Sequence, residues 1–559
     1  MKSNQFKTVE NRYWSYRISH VFVVVHAAVA WDGRVNATSS HRSFESQLNL
    51  ESHSSRSLRQ SRSGTEINLQ HQKQRQQPEQ IIQTIKLEYY STNDTEILGA
   101  PNYMAAIGNP LKGLVGFGPR EFLQQNLPKH VPSAIEKYNL GLSEIMMGDN
   151  QFNWTSFDRL VEASASRNMH SVFSIFIHWP GQPLWLPPHL SDLPLVDTEY
   201  GKSPHYGNSQ LLLALQQFIK AWGRHADGDT RIAAVHVGLL GFWGEGHTYP
   251  DTMLVPELSK QLVADWYRLA FTKTQVQARY PSPNTDGFGL FDASLAYSTL
   301  DGEANGGVDR EWFMYPQIVA RNQQNNWKQS MMGGETRPEL QSSIFTTWYP
   351  KGTEHKQDLR ACIDALHLSY VVHHDAFING GYTGDVLYEA NEIHAYMGYS
   401  FYVSGIATSA LPTKDPTVVD VSVSITQQGA APFYYDLNLL LECGNGTVKM
   451  QLLGVNDIIE QGASKVFTFE NVPATNNCLD YVTLSLSSSF AYPERPIRFG
   501  QGTDGTVAIR IPQPTAIDNH PKKIQSFFSL IFSPVRNVFK NLLGSIVSNG
   551  EDRARGKKQ

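Results

Sequence analysis

From about residue 109 onward, short apolar runs alternate with longer stretches whose apolar residues recur at helical spacing. Residues 113–118 read as a first short strand, and a second falls between 134 and 147. Residues 154–167 put Phe157, Leu160, Val161 and Ala165 on one side, as an amphipathic helix does. A third strand at 170–177 is followed by a loop rich in Pro and Trp and a helix over 209–224. Residues 232–243 form a fourth, almost uncharged run, of the kind that parallel sheets bury on both faces. A helix over 256–280 leads to a fifth strand at 288–292, and a helical stretch over 312–325 to a sixth at 329–335. A helix at 358–366 leads to a seventh strand at 368–373, and one near 386–394 to an eighth at 399–404. Eight strands alternating with helices predict an α/β fold, a (β/α)8 TIM barrel over residues 81–410.

The pattern then changes. Runs at 418–426, 434–442, 447–453, 465–469, 481–487 and 507–511 are short, often alternating, and separated by Gly, Asn and Pro. They predict an antiparallel β-sandwich over 411–515, with one wet face on its sheets. Cys443 and Cys478 fall inside it and pair if the chain is exported, whereas Cys362, on a barrel helix, reads as a buried thiol.

Three segments lie outside this plan. Residues 1–30 carry Lys2, Lys7, Arg12 and Arg17 before an apolar run and a small-x-small triplet, which reads as a signal peptide or anchor. Residues 31–80, rich in Ser, Gln and Arg, have too few large apolar side chains to offset the entropy of ordering. Residues 516–559 form a basic amphipathic tail, suited to an anionic membrane surface or to packing on the body of the protein. With sequons at Asn36, Asn93, Asn153 and Asn445, the expectation is a secreted or membrane-associated glycoprotein.

Composition adds little constraint beyond this. A chain of 559 residues with 41% hydrophobic content has room for two to four domains and ample core. The net charge of -5 points to no nucleic-acid partner. The 11 Trp and 24 Tyr supply flat apolar faces with a polar handle, which suit sugar rings as well as cores.

Function in a barrel gathers where its strands end, because the loops there are free to vary. Glu245 follows the fourth strand, Asp292 closes the fifth, and Glu335 follows the sixth after two glycines. Glycoside hydrolysis needs two facing carboxyl groups, one protonated as acid and one ionised as nucleophile or base. Glu245 and Glu335, two strands apart on one rim, meet that demand, with Asp292 between them to orient a hydroxyl or shift a neighbouring pKa. His247 falls beside Glu245, and Trp243, Trp179 and Trp185 are candidate stacking walls for a sugar; His373 is a further candidate contact. A metal alternative uses His373-His374-Asp375 with His247 and Glu245. Neighbouring histidines on a strand point to opposite faces, and no His-x-His appears near the first strand. No dinucleotide fingerprint, P-loop or nucleophile elbow is present, so no cofactor is expected.

At these residues the chain resembles a family, domain of unknown function 4832, taken to be a glycoside-hydrolase-like TIM barrel followed by a β-sandwich. The matching pieces are Asn109-Pro110-Leu111-Lys112-Gly113, Phe152-Asn153-Trp154, Asp227-Gly228-Asp229-Thr230-Arg231-Ile232, residues 237–249, Gly333-Gly334-Glu335 with Pro338, and Met397-Gly398-Tyr399. The Gly-Phe-Trp-Gly-Glu-x-His piece is the distinctive one. The resemblance implies a sugar-active barrel with Glu245 and Glu335 at the family's exposed carboxylate positions; Ser174, His178, Gly246 and Ala293 depart from its pattern. The expected function is hydrolysis of an oligo- or polysaccharide, and the alternative is a non-catalytic carbohydrate-binding or cell-surface protein on an inactivated barrel.

Overall fold

The computed structural model describes residues 100–118, 131–300 except 251, 312–346, 356–378, 381–409 and most of 418–509. The export signal, the Ser-rich segment and the basic tail expected from the sequence lie outside the described residues.

Eight parallel strands close into a barrel. They are β1 (Gly113–Phe117), β2 (Ile135–Gly141), β3 (His170–Phe176), β4 (Ile232–His236), β5 (Gln275–Ala278), β6 (Gly289–Leu295), β7 (Met332–Thr336) and β8 (Leu368–Val372). Each pairs with its neighbours in chain order, and β8 returns to β1. The longest ladder joins β2 to β3, from Ile135 opposite His170 to Gly141 opposite Phe176. Two of the helices outside keep the predicted positions. Thr155–Ala165 buries Phe157, Leu160 and Val161, and Ser209–Ala226 buries Leu211, Leu215, Phe218 and Trp222.

The count of eight holds, but its membership differs from expectation. β5 lies where the helix was expected to continue; that helix ends at Ala270. The stretch expected as the eighth barrel strand instead begins the second domain. Phe401–Ser409 (β9) pairs antiparallel with Val418–Gln427 (β10). The fourth run is also shorter than its apolar length suggested, because regular pairing stops at His236.

The antiparallel part has a sheet of β9, β10 and Ser464–Pro473 (β13). A second sheet holds Asn438–Cys443 (β11), Val448–Leu452 (β12), Val482–Ser487 (β14) and Val507–Ile509 (β15). Alternation decides its core: Val419, Val421 and Val423 of β10 and Leu439, Leu441 and Cys443 of β11 point inward. Cys443 and Cys478 are joined by a disulfide, and Cys362 is a buried free thiol.

This domain covers the amino ends of the barrel strands. Tyr435 donates to Ala233 O at 2.6 Å at the start of β4. Tyr434 donates to Trp327 O at 2.6 Å ahead of β7, and Tyr492 to Met169 O at 3.2 Å ahead of β3. On the same side Lys112 is fully buried and donates to Ala395 O and Tyr399 O, each at 2.8 Å. Among the described residues no carboxylate offsets its desolvation, and burial brings its pKa down to about 7. The carboxyl ends of the strands face the other way.

Candidate active site

Beyond His236 the β4 chain coils into a compact loop. Leu239, Gly241, Trp243, Gly244 and Gly246 all have positive φ. Leu239 N donates to Ile175 O at 2.9 Å and Trp243 N to His178 O at 2.8 Å, which ties the loop to β3 and its continuation. Phe242 N to His247 O and Gly246 N to Leu240 O, both 2.8 Å, close the loop on itself. At Gly241, with φ +73, a Cβ would stand 2.2 Å from His247 O, so only glycine fits. Glu245 and His247 are thus presented by backbone held on both sides.

The cleft beside this loop is lined by Lys137 and Asn139 from β2, Ser174 from β3, Trp179, His236, Trp243, Glu245, Arg279, Phe291, Ala293, Glu335 and Pro338. Four of the residues singled out from the sequence therefore meet here: Glu245, Glu335, Trp243 and Trp179. Glu335 is 7% exposed at the end of β7, with Pro338 in the turn after it.

His247 is bound on both nitrogens. Its Nδ1 accepts from Tyr249 N at 3.3 Å, so the proton sits on Nε2, which donates to Glu245 Oε2 at 3.2 Å. The same carboxylate oxygen lies 3.8 Å from Arg279 Nε. Arg279 Nη1 is 3.7 Å from Asp292 Oδ1. Asp292 itself is buried; it accepts from Thr299 Oγ1 at 2.7 Å and Ser294 N at 3.0 Å. Burial pushes its carboxyl above the usual range, against the pull of Arg279 and these donors.

The floor of the barrel interior is a polar chain. Gln277 donates to Met331 O at 2.8 Å, Tyr370 donates to Gln277 Oε1 at 2.5 Å, and the Tyr370 oxygen faces His236 Nε2 at 3.1 Å. Burial, reinforced by the Lys137 charge, drives the His236 pKa well below its ordinary value, so this ring is neutral. Lys137 Nζ donates to Asn139 Oδ1 at 3.2 Å and sits 5.1 Å from the Phe291 ring centroid. Burial lowers its pKa, while the charges of Glu335 and Glu245 oppose that shift.

Two candidates lie elsewhere. Trp185 packs edge-on against Phe176, with ring centroids 4.9 Å apart, and over Gly141; it does not line the cleft. His373 is fully buried, with Nε2 2.5 Å from Tyr382 OH, which in turn donates to Gln341 O. Burial and the neighbouring His374 bring its pKa down to about 3. His374 takes a separate path, accepting from Phe117 N at 3.2 Å.

Lys137 and Arg279 were not among the sequence candidates. The signal for Lys137 was available: period-two alternation along Ile135–Gly141 puts Lys137 and Asn139 on one face. Arg279 follows β5, the strand that went unnoticed, so its place at a strand end was hidden too.

No protein-family model matches the chain and no curated protein is similar to it, so the family resemblance read from the sequence finds no support there. Among solved structures, xylanase XynB from Paenibacillus barcinonensis is similar at 12% identity and a TM-score of 0.28, over 52% of this chain and 98% of that one. Endo-glycoceramidase II from Rhodococcus sp. is similar at 11% identity and a TM-score of 0.35, over 65% of this chain and 97% of that one. The xylanase XylE from Penicillium canescens is similar at 11% identity and a TM-score of 0.30, over 53% and 97%.

Proposed function

We propose that this protein is a glycoside hydrolase acting on an oligo- or polysaccharide, with Glu245 and Glu335 as its carboxyl pair. The observation that carries this reading is that both side chains, Glu245 in the loop after β4 and Glu335 at the end of β7, open on one cleft at the carboxyl end of the barrel, together with Trp179 and Trp243. In such a reaction one carboxylic acid protonates the leaving glycosidic oxygen as the bond to the anomeric carbon breaks. The other carboxylate either attacks that carbon or activates a water against it, and an oxocarbenium-like charge develops between them. Trp179 and Trp243 suit the apolar faces of the sugar rings. Asn139, on the same face, offers both a donor and an acceptor to hydroxyls.

The test is a screen on aryl glycosides with the wild type, Glu245→Gln and Glu335→Gln. Either substitution is expected to lower kcat/KM by about 10²–10⁴-fold. Activity that survives both substitutions overturns the assignment of the pair.

A second reading, a carbohydrate-binding protein on an inactivated barrel, is favoured by one observation. Arg279 already stands within 3.8 Å of Glu245, on a carboxylate that hydrolysis would require to face substrate. Glycan binding without hydrolysis of any aryl glycoside identifies that case. Export, with contact of the basic tail to a membrane surface, belongs to the same proposal; the Cys443–Cys478 disulfide supports it, since such bonds persist in oxidising compartments.

A further inference from the structure

Three carboxylates, Glu245, Glu335 and Asp292, converge at or directly behind one cleft, and like charges so placed disfavour one another's ionisation. Two buried cations answer them. Lys137, on β2, lines the same cleft, and the charges of Glu335 and Glu245 favour its protonated form. Arg279, after β5, bridges the other two carboxylates, with Nε 3.8 Å from Glu245 Oε2 and Nη1 3.7 Å from Asp292 Oδ1. Its side chain is 13% exposed, and its guanidinium lies 4.4 Å from the ring centroid of Tyr280. At these separations the contacts are charge to charge rather than hydrogen bonds, and Arg279 Nε has no hydrogen-bond partner. A purely architectural arginine of this burial would have its donors satisfied. Arg279 instead acts through its field on the oxygen that His247 also contacts.

We propose that Arg279 is a positioning residue that holds Glu245 ionised and turned toward His247, and thereby sets the acid limit of the cleft's activity. This rests on the glycosidase reading of the same site. The remaining titratable groups facing it are Tyr280 and Glu335, with Lys137 in the same cleft and His236 neutral at the floor. Burial of the guanidinium works against its charge, but the facing carboxylates Glu245, Asp292 and Glu335 help to outweigh it and its pKa is raised, so Arg279 stays charged throughout the working range. The cation beside Glu245 is therefore permanent.

The experiment follows two readouts in the full chain: the pH profile of kcat/KM and the titration of the His247 ring by NMR. In Arg279→Met the acid limb and the His247 midpoint are both expected to move up by about one pH unit, and Arg279→Lys is expected to return both toward the wild type. In Asp292→Asn both are expected to move down, since a competing negative charge is gone; this variant keeps the idea testable if Arg279→Met does not fold. Unmoved midpoints in Arg279→Met and Asp292→Asn, or an Arg279→Lys protein that behaves as Arg279→Met, overturn the proposal. If the wild type hydrolyses no glycoside, the glycosidase reading falls, and the His247 titration alone decides the role of Arg279.

Discussion

The two ends of the barrel bury cations in opposite ways. At the amino end Lys112 meets the carbonyls of Ala395 and Tyr399 and the Tyr399 ring, under a second domain that seals it from water. At the carboxyl end Lys137 and Arg279 stand among Glu245, Asp292 and Glu335, beside a cleft. Desolvation without a counter-charge pulls Lys112 toward neutrality, whereas the matched charges at the other end keep Arg279 protonated. The first arrangement fastens helix and strand ends together. The second holds charge beside an open cleft. A buried cation therefore does not mark function by its burial; the partners around it decide.

The widest separation of the two ends is expected in the pH dependence of stability. The folded pKa of Lys112, about 7, lies below its unfolded value of 10.5, so between these values the unfolded chain binds more protons. Stability from this group should thus rise with pH, by about 2 kcal/mol between pH 7 and 9, and show no slope from it well below pH 7. Denaturant unfolding across that range measures the rise. Lys112→Met should flatten it, and a slope unchanged in that variant would show that another group carries it.

A smaller effect is expected at the domain junction. Tyr435→Phe removes the donor to Ala233 O and should cost about 1–2 kcal/mol of stability, with glycan binding in the cleft unaltered. Loss of binding in this variant would mean that the two ends are coupled. Smallest in stability is His247→Ala at the cleft, where the ring is 25% exposed: under about 1 kcal/mol, seen as a slight shift of the unfolding midpoint. Its kcat/KM should nonetheless fall by about tenfold, because Glu245 loses the donor that orients it. A variant as active as the wild type would reduce His247 to a loop fastener.

The misread strand shows where sequence patterns stop. Gln275–Ala278 carries Gln277 into the barrel interior, where an amide is tolerated only because Met331 O and Tyr370 OH complete its hydrogen bonds. Those partners lie 54 and 93 residues away in the chain, so the run looked like the polar end of a helix. Phe401–Ser409 has the same apolar look as a barrel strand; only its antiparallel partner, Val418–Gln427, assigns it to the second domain. His373 and His247 both follow apolar runs, yet Tyr382 and Gln341 enclose the first, while a loop of positive-φ residues brings the second against Glu245.

What the chain determined by itself is what short-range physics controls. The change from mixed helical and strand-like runs to short alternating strands forecast a barrel followed by a sandwich, because amphipathic spacing reflects which face must be buried. The carboxylates at the ends of two such runs, Glu245 and Glu335, could be picked out for the same reason. Only the tertiary structure decided which strand closes the barrel, which histidine meets Glu245, and that Arg279 stands between Glu245 and Asp292. Those outcomes depend on strand pairing and on desolvation by residues distant in sequence, which local spacing does not record.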